Sequence, residues 1–412
     1  MSAIKGWERK NFNELGICIR GVSYKPNDLQ PAPAKENVTL LRSNNIRDGR
    51  LNYDNLQFVN QSVVREHQKL QNEDIAICMS NGNRALVGKS GKFVERGDNA
   101  EYTVGAFCSI FRPANGFDAG YIRHLFGSEK YQKQLDGILA GSAINNLKGS
   151  DIDGLIAFCP TSKSEQTKII EILSTVDRAI EQTDALIAKQ QRIKTALMQD
   201  LLTRGIDEHG NLRSEQTHEF KDSPLGRIPV EWSSLQIGIV ATLQRGHDIT
   251  ENELYEGPYP VVSSSGVIGY HTQCTSKGPN VVIGRKGTIG KVHYLEHDFW
   301  AHDTSLYVTN FRGNNERYIY YLFTHLDLAR YGTKSGSPSL NRNDIHPLWI
   351  GLPLPDEQSK IVIILMKCDQ RLGFMGRGLE KLRSLKTALM QDLLTGKKRV
   401  TPLLNETEVA SL

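Results

Sequence analysis

Cysteine is scarce in this sequence, and its spacing excludes two kinds of site. The 412 residues include six cysteines, and the two nearest, Cys78 and Cys108, are 30 residues apart. This spacing excludes C-x-x-C zinc or redox pairs, and six cysteines are few for a disulfide-stabilised scaffold. We therefore expect isolated thiols in a reducing cytoplasm.

Long apolar runs and a strong excess of one charge are also missing. No run of about 18 apolar residues is present, so no membrane span is expected, and the first residues lack the apolar segment of a secretory signal. Basic and acidic residues number 50 and 46, a smaller excess than nucleic-acid-binding domains usually carry. Apolar residues make up 39%, which is enough for folded cores. The length predicts two or three domains of about 150 residues each.

Signatures of common catalytic sites are absent too. The segment 82–90 is similar to a phosphate-binding P-loop, but five residues separate its glycines where the motif has four, so nucleotide binding is not predicted. No Asn-Pro or Asp-Pro dipeptide occurs, which removes the Asp/Asn-Pro-Pro-aromatic loop of amino-methyltransferases. We therefore predict no catalytic residues, no metal site and no bound cofactor in this chain.

Two groups of residues could still form sites. The first is a set of histidines beside acidic residues: His293, His297, His302, Asp298 and Asp303. It could hold a metal ion, but a turn with surface histidines is the simpler interpretation. The second is a Glu–Lys pair at each of two helix starts: Glu165 with Lys168, and Glu357 with Lys360. Nuclease chemistry is conceivable there, but charges in the first turn of a helix explain these residues more simply.

One ten-residue segment occurs twice, letter for letter. Residues 194–203, KTALMQDLLT, recur at 386–395, which is 192 residues later. With the same offset, Glu165-Gln166 matches Glu357-Gln358, and Asp177 matches Asp369. The register holds without a gap for almost forty residues, so this part of the chain is duplicated.

Both copies have the apolar spacing of a coiled coil. Residues in a 4-3 spacing run from Ile169 to Leu201 in the first copy and from Ile361 to Leu393 in the second. This average of 3.5 residues is typical of a coiled-coil seam. The seam contains Lys194 and its repeat Lys386, and a polar seam residue can fix the register. The alternative is that each helix packs only on its own domain. The residues predicted to pair the helices and dock other subunits are Leu173, Ile180, Ile187, Leu197, Leu201, Leu365, Leu372, Leu379, Leu389 and Leu393.

The segments around the helices form two blocks that share landmarks. Each block has a tryptophan followed by an Arg-Gly pair, a short apolar strand (74–78 and 280–284), a Gly-rich basic turn, and a helix (near 121–139 and 316–331). We infer duplication of one mixed α/β (α+β) domain. The predicted order is domain 1 (1–155), helix 1 (160–204), a polar linker (205–224), domain 2 (225–350), helix 2 (353–396) and a C-terminal tail (397–412).

This order predicts how the helices run. Helix 1 ends where domain 2 begins, and domain 2 ends where helix 2 begins, so paired helices must be antiparallel. We expect each domain to lie at the start of its own helix, at opposite ends of a pseudo-two-fold pair about 57 Å long.

Basic residues stand beside amide and hydroxyl residues in turns of both blocks. Such side chains can read base edges and hold phosphates. A single turn of this kind is usually a solvated loop, but recurrence at matching places favours DNA binding. In block one the candidates are Arg42, Asn44, Asn45, Arg47, Arg84, Lys89, Lys92, Asn145 and Lys148. In block two they are Arg245, Ser263, Ser264, Ser265, Arg285, Lys286, Thr288, Lys291, Lys334, Ser335, Asn341 and Arg342.

Over nearly its whole length the sequence resembles the specificity subunit of type I restriction-modification systems. The duplicated helix starts and KTALMQDLLT ends carry the resemblance, together with residues 220–229 before the second domain and the turn 285–290. Block one departs from the family, because residues 81–84 stand where the family's Gly-Thr-Ile-Gly turn would be.

The resemblance implies two target-recognition domains, each binding one part of a bipartite, asymmetric site in double-stranded DNA. The helix pair would set the gap and dock two methyltransferase subunits, which bring S-adenosylmethionine. Restriction subunits would add ATP-driven translocation and cleavage, so no catalysis is expected in this chain. One alternative is a nuclease acting alone. The other is a coiled-coil adaptor that binds no nucleic acid, which the 12 basic and 12 acidic residues of segment 221–352 favour.

Overall fold

The computed structural model describes residues 4–47, 49–141, 145–250, 253–254, 257–333 and 338–404. Two predicted DNA-binding residues, Lys334 and Ser335, lie outside these ranges. The chain divides into unit 1, Met1–Thr183 with Gly378–Leu412, and unit 2, Asp184–Arg377. Each unit contains one block and part of both long helices.

The described residues form short helices, short strands and two long helices. The helices are α1 (Phe12–Leu15), α2 (Ala119–Phe126), α3 (Glu129–Ala140), α4 (Gly149–Asp153), α5 (Lys163–Thr203), α6 (Ile237–Val240), α7 (Glu316–His325), α8 (Arg342–Ile345) and α9 (Pro355–Leu393). The strands of unit 1 are β1 (Trp7–Asn11), β2 (Gly16–Arg20), β3 (Leu29–Gln30), β4 (Asn37–Leu41), β5 (Ile46–Arg47), β6 (Gly49–Leu51), β7 (Gln57–Asn60), β8 (Ile75–Cys78), β9 (Ser90–Lys92), β10 (Tyr102–Val104), β11 (Cys108–Pro113) and β12 (Ile156–Pro160). Those of unit 2 are β13 (Phe220–Ser223), β14 (Gly226–Pro229), β15 (Ser233–Gln236), β16 (Thr242–Arg245), β17 (Tyr259–Ser263), β18 (Gly266–His271), β19 (Asn280–Gly284), β20 (Val292–Leu295), β21 (Trp300–Ala301), β22 (Ser305–Asn310) and β23 (Trp349–Leu352).

The two units share the central part of one sheet topology. Unit 1 has sheets of order β2-β11-β8-β9-β6-β5 and β10-β4-β7-β3, with the pair β1-β12. Unit 2 has sheets of order β16-β22-β19-β20 and β18-β17-β21, with the pairs β15-β23 and β13-β14. The antiparallel run β2-β11-β8-β9 corresponds to β16-β22-β19-β20, and the one parallel partner of β4, strand β10, corresponds to β21 beside β17. The predicted duplication of a mixed α/β domain is confirmed.

The predicted apolar strands form the centres of these sheets. Every residue of β8 and of β19 is buried, as expected for strands covered on both faces. The helix predicted near 121–139 is broken into α2 and α3, because Ser128 caps a new start by accepting a hydrogen bond from the Tyr131 backbone N–H at 3.2 Å. Cores of aromatic and aliphatic side chains then fill the space between sheet and helices.

The long helices run antiparallel within each unit. In unit 1 the start of α5 and the end of α9 share one core, which includes Leu173 and Leu393. In unit 2 the end of α5 and the start of α9 share the other, which includes Leu201 and Leu365. All ten predicted pairing residues are buried or half-buried. The predicted fold class, two mixed α/β domains with a pair of long helices, is confirmed.

The first-turn glutamates of the long helices differ from their predicted capping role. Glu165 is 1% exposed, and its two carboxylate oxygens accept hydrogen bonds from Arg399 at 2.6 and 2.7 Å. Its counterpart Glu357 accepts from Arg213 at 2.6 Å and from the Trp232 indole at 3.1 Å. A carboxylate removed from water needs a charged partner. Glu165 and Glu357 therefore bind the segments that carry Arg399 and Arg213 to the starts of the long helices. Arg213 lies in the predicted linker, which is therefore folded against α9.

Candidate nucleic-acid interface

In unit 1, loops from four parts of the chain meet at one place, here named loop cluster 1: residues 42–45, 79–84, 105–107 and 145–148. The Asn81 side chain donates to the Ser43 hydroxyl at 3.2 Å. Its backbone N–H donates to the Asn145 carbonyl at 3.4 Å, and the Asn145 side chain donates to the Gly82 carbonyl at 3.3 Å. These contacts bring predicted residues from distant sequence positions together.

Unit 2 builds the corresponding loop cluster 2 from residues 263–266, 285–291, 302–304 and 339–342. Lys291 donates to the Ser265 carbonyl at 3.0 Å. The backbone N–H of Leu340 donates to the Arg285 carbonyl at 2.9 Å, and the backbones of Lys286 and Ser339 form an isolated antiparallel β-bridge. These contacts bring together predicted residues of block two from the segments 263–265, 285–291 and 341–342.

The two loop clusters have the same backbone frame. In cluster 1 the carbonyl of Phe107 accepts from the N–H groups of Met79 and Ser80 at 2.8 and 3.1 Å. In cluster 2 the carbonyl of Thr304 accepts from the N–H groups at positions 285 and 286, also at 2.8 and 3.1 Å. Phe107 and Thr304 therefore occupy equivalent positions, although their side chains differ in size and polarity.

The Arg-Gly landmark of each block supports this frame. A Cβ at Gly21 would lie 2.3 Å from the Gly105 carbonyl oxygen, and one at Gly246 would lie 2.1 Å from the His302 carbonyl oxygen. Both distances are far below a possible contact, so only glycine allows the backbone here to lie this close to the neighbouring carbonyl group. The residue is set by backbone packing in both units.

The basic turn after the central strand is also shared. Cys78 N–H donates to the Lys89 carbonyl, and Gly284 N–H donates to the Lys291 carbonyl, each at 2.8 Å. Lys89 and Lys291 are thus equivalent. The turn of unit 1 is longer, so residues 81–84 are only its first part, and Gly88 matches the last glycine of the unit 2 turn.

The predicted DNA-binding residues that the structure describes fall into four groups. Several are exposed and available to a ligand: Asn44, Arg47, Arg84, Lys148, Ser265, Thr288, Lys291, Asn341 and Arg342. Arg42, Lys89, Asn145, Arg285 and Lys286 are half-buried. Two basic residues already pair with carboxylates: Lys92 with Glu73 at 2.8 Å, and Arg245 with Asp303 at 2.9 Å.

Three predicted residues shape turns instead. Asn45 is fully buried, and its side chain bonds to backbone groups of residues 42, 52 and 54. Ser263 and Ser264 are buried as well, and the Ser263 hydroxyl donates to the Gly266 carbonyl at 3.0 Å. All three side chains are buried in the described structure, and hydrogen bonds to the backbone occupy those of Asn45 and Ser263.

One exposed residue of loop cluster 1 was not predicted. The side chain of Phe107 is 70% exposed. Basic, amide and hydroxyl residues are the sequence features that indicate DNA binding, and an aromatic residue between Ala106 and Cys108 does not stand out from the residues of an apolar core. Only the backbone frame shows where its side chain is presented.

A buried charged group lies where α2 meets both long helices in unit 1. The Asp177 carboxylate accepts hydrogen bonds from Arg123 at 2.6 Å and from Lys386 at 2.8 Å. Burial alone would raise the pKa of Asp177, but these two hydrogen bonds outweigh it and keep the pKa below its usual value. Burial, reinforced by the Arg123 charge, lowers the pKa of neighbouring His124 from 6.5 to about 3. This group joins the block to the helix pair.

Neither metal ligation nor reactive thiol chemistry is indicated in the described ranges. They contain no group of three or more His, Cys, Asp or Glu residues placed to hold a metal ion. All six cysteines are free, and burial raises the pKa of the Cys18 and Cys78 thiols to about 11. Among the described helices none is both long and apolar enough to cross a membrane.

Comparison with known proteins agrees with this architecture. Residues 229–383 match the family described as the type I restriction modification DNA specificity domain. The chain is 32% identical over 202 residues to the type I restriction enzyme StySPI specificity subunit of Salmonella potsdam, covering 49% of this chain and 43% of that one. It is 30% identical over 268 residues to the EcoKI specificity subunit of Escherichia coli (strain K12), covering 65% and 55%. The chain thus spans about half the length of these curated relatives.

Solved structures share the fold. The type I restriction-modification S subunit from M. genitalium matches with a TM-score of 0.57 at 16% identity, over 96% of this chain and 98% of that one. A chain from work on complex assembly and conformational transition of the type I system matches with a TM-score of 0.60 at 13% identity, over 97% and 100%. The resemblance to type I specificity subunits is confirmed.

Proposed function

We propose that this chain is the DNA-reading subunit of a type I restriction-modification complex. Loop cluster 1 would read one part of a bipartite, asymmetric site in double-stranded DNA, and loop cluster 2 the other. The observation that carries the proposal is one backbone frame used twice with different side chains on it. A duplicated frame supports two similar docking modes, and different side chains give each half-site its own sequence.

The charges of the exposed candidates suit this role. Arg and Lys side chains hold phosphates, and Asn, Ser and Thr side chains can reach base edges. The near-neutral balance of each block argues for a small number of contacts rather than a broad basic surface. Specificity then depends on the loop clusters.

The proposed partners are two methyltransferase subunits and the restriction or translocase subunits. Support comes from exposed apolar side chains on the long helices: Leu186, Ile193, Ile363, Phe374 and Leu385, which are 43–72% exposed. Such side chains favour a protein partner on the helices. S-adenosylmethionine and ATP would be bound by those partners, and this chain would be non-catalytic.

A genome-wide map of methylated adenines tests the proposal. The map is made with the gene present, deleted and restored, in a strain that keeps the methyltransferase subunits. A bipartite motif that disappears on deletion and returns on restoration supports the proposal. An unchanged map contradicts it.

Purified proteins separate the alternative functions. The chain is mixed with a motif-containing duplex at low salt, with and without the methyltransferase subunits. Cleavage or methylation by the chain alone would indicate an enzyme. Stable binding to the methyltransferase without any shift of the duplex would indicate the adaptor.

A further inference from the structure

Phe107 is an exposed aromatic side chain in the middle of loop cluster 1. At 70% exposure, most of its ring meets water, which costs free energy in proportion to the apolar area exposed. The exposed apolar residues of the long helices have an explanation in subunit docking, but Phe107 lies on a different element, the turn between β10 and β11.

Backbone hydrogen bonds fix the turn that carries this side chain. The Phe107 carbonyl is bound by two N–H groups, and the Cys108 N–H closes the turn on the Gly105 carbonyl at 2.8 Å. The Gly105 N–H in turn donates to the Leu41 carbonyl at 2.9 Å. These bonds fix the backbone of the turn, and with it the position from which the Phe107 side chain extends.

Phe107 borders a cavity that polar side chains also line. A cavity of about 670 Å³ beside it is lined also by Tyr24, Arg42, Ser43 and Asn44. The Arg42 guanidinium donates from Nη2 to the Asn55 carbonyl at 3.2 Å, which holds it at the edge of this cavity. A cavity lined by an aromatic ring together with a guanidinium, a hydroxyl and an amide suits a base with its sugar and phosphate.

Comparison of the two units shows that the ring is not needed for the fold. In unit 2 the same backbone turn carries Thr304, whose hydroxyl bonds within its own cluster to His302 at 2.8 Å. The frame therefore forms with either residue. What differs is the surface offered: an apolar wedge in unit 1 and an internally bonded hydroxyl in unit 2.

We propose that Phe107 is a DNA-contacting and specificity-determining residue of unit 1, which wedges against a base step of the half-site that unit 1 reads. Aromatic side chains stack on bases or partly unstack them, and this favours steps that open easily. The inference rests on the proposed function and adds a residue and a contact mode to it.

The test uses the full chain assembled with its methyltransferase subunits and a duplex containing the mapped motif. Four chains are compared: wild type, Phe107→Thr, which copies unit 2, Phe107→Trp, and the control Val94→Ala, which alters a 52% exposed residue of unit 1 outside the cluster. The dissociation constant is measured across a salt series, and 2-aminopurine is placed at successive positions of each half-site. Melting temperatures of all four are compared.

We expect Phe107→Thr to weaken binding about tenfold with an unchanged salt slope, because no charge is removed. The 2-aminopurine signal of wild type at one step of the unit 1 half-site should be lost, and Phe107→Trp should retain it. Val94→Ala should match wild type. If Phe107→Thr lowers the melting temperature, its weaker binding could reflect lost stability. The affinities of Phe107→Leu and Phe107→Trp, which are both apolar, then test the need for an aromatic ring, and we expect weaker binding for Phe107→Leu.

Three results would overturn the inference. Equal affinity and equal 2-aminopurine signals for wild type and Phe107→Thr would leave the proposed function standing and remove the wedge. Loss of the methyltransferase from the Phe107→Thr complex would make Phe107 a protein contact. Absence of specific binding by wild type would defeat the proposed function itself, and the inference with it.

Discussion

Lys386 of α9 donates to the Asp177 carboxylate of α5 at 2.8 Å and joins the two long helices inside unit 1. The repeat offset of 192 residues relates Lys194 to Lys386 and Asp177 to Asp369. Lys194 of α5 and Asp369 of α9 form the equivalent ion pair inside unit 2. Sliding one helix by a turn would separate both lysines from their carboxylates. The duplicated Lys–Asp pair therefore fixes the antiparallel register twice.

The first prediction concerns this register. Asp177→Asn removes the negative charge that Arg123 and Lys386 share. Both cations then lose their carboxylate in a buried place, so we expect the free energy of unfolding to fall by about 3 kcal/mol. Urea unfolding of the variant and wild type measures the change.

Glu171→Gln is the matched control, because Glu171 is an exposed helix residue that pairs with Lys168 three positions away. Exposed pairs of this kind contribute little, so the control should unfold like wild type. Equal losses for Asp177→Asn and Glu171→Gln would show that the buried ion pair is not important for stability.

The second prediction is a pH dependence from His124. Its folded-state pKa lies near 3 against 6.5 for a free imidazole. Between these two values the unfolded chain binds a proton at His124 and the folded chain does not. Protonation then favours the unfolded state. Stability should fall as the pH drops, by about 1.4 kcal/mol per pH unit for this one group.

Removing the titrating ring isolates this effect. The melting temperatures of wild type and His124→Gln are compared between pH 7 and pH 5. Wild type should lose more on acidification than the variant does. Parallel curves would mean that His124 takes up its proton without opposing the fold.

The third prediction concerns the clamp between Glu165 and Arg399. Arg399→Gln leaves a 1% exposed carboxylate without its bidentate partner, which should cost about 3 kcal/mol of unfolding free energy. The adjacent Lys398 is 73% exposed and pairs with Asp392, so Lys398→Gln should have no measurable effect. Chemical denaturation of both variants gives the comparison, and similar midpoints would contradict the clamp.

The fourth prediction concerns phosphate contacts in loop cluster 2. Lys291→Gln should weaken binding of all duplexes and reduce the salt slope of the binding constant by about 0.9 if Lys291 holds one phosphate. Lys221→Gln changes an exposed lysine of the β13–β14 hairpin, outside the cluster, and should leave the slope unchanged. A normal slope for Lys291→Gln would exclude that lysine from the interface.

Much of the fold could be predicted from the sequence, because duplication leaves a signal that needs no structure. The repeated KTALMQDLLT segment located both long helices, and their 3.5-residue spacing gave their pairing faces. The apolar strands 75–78 and 280–284 were found because residues buried on both faces form a continuous apolar run.

The sites were harder to predict, because side-chain burial depends on contacts between distant residues. Asn45 has the composition of a DNA-contacting residue, yet neighbouring backbone groups occupy its amide. Arg213 lies in a polar stretch that looked like a linker, and only the folded chain brings it to Glu357. The equivalence of Phe107 and Thr304 lies in backbone hydrogen bonds, and the sequence around the two residues shows no identity.

The most direct test of two independent readers is to replace residues 225–345 with the corresponding segment of a relative that has a different motif, and to map methylated adenines. We expect the part of the motif assigned to unit 2 to change, while the other part and the methylated strands stay as they were. A change in both parts, or in neither, would contradict this expectation.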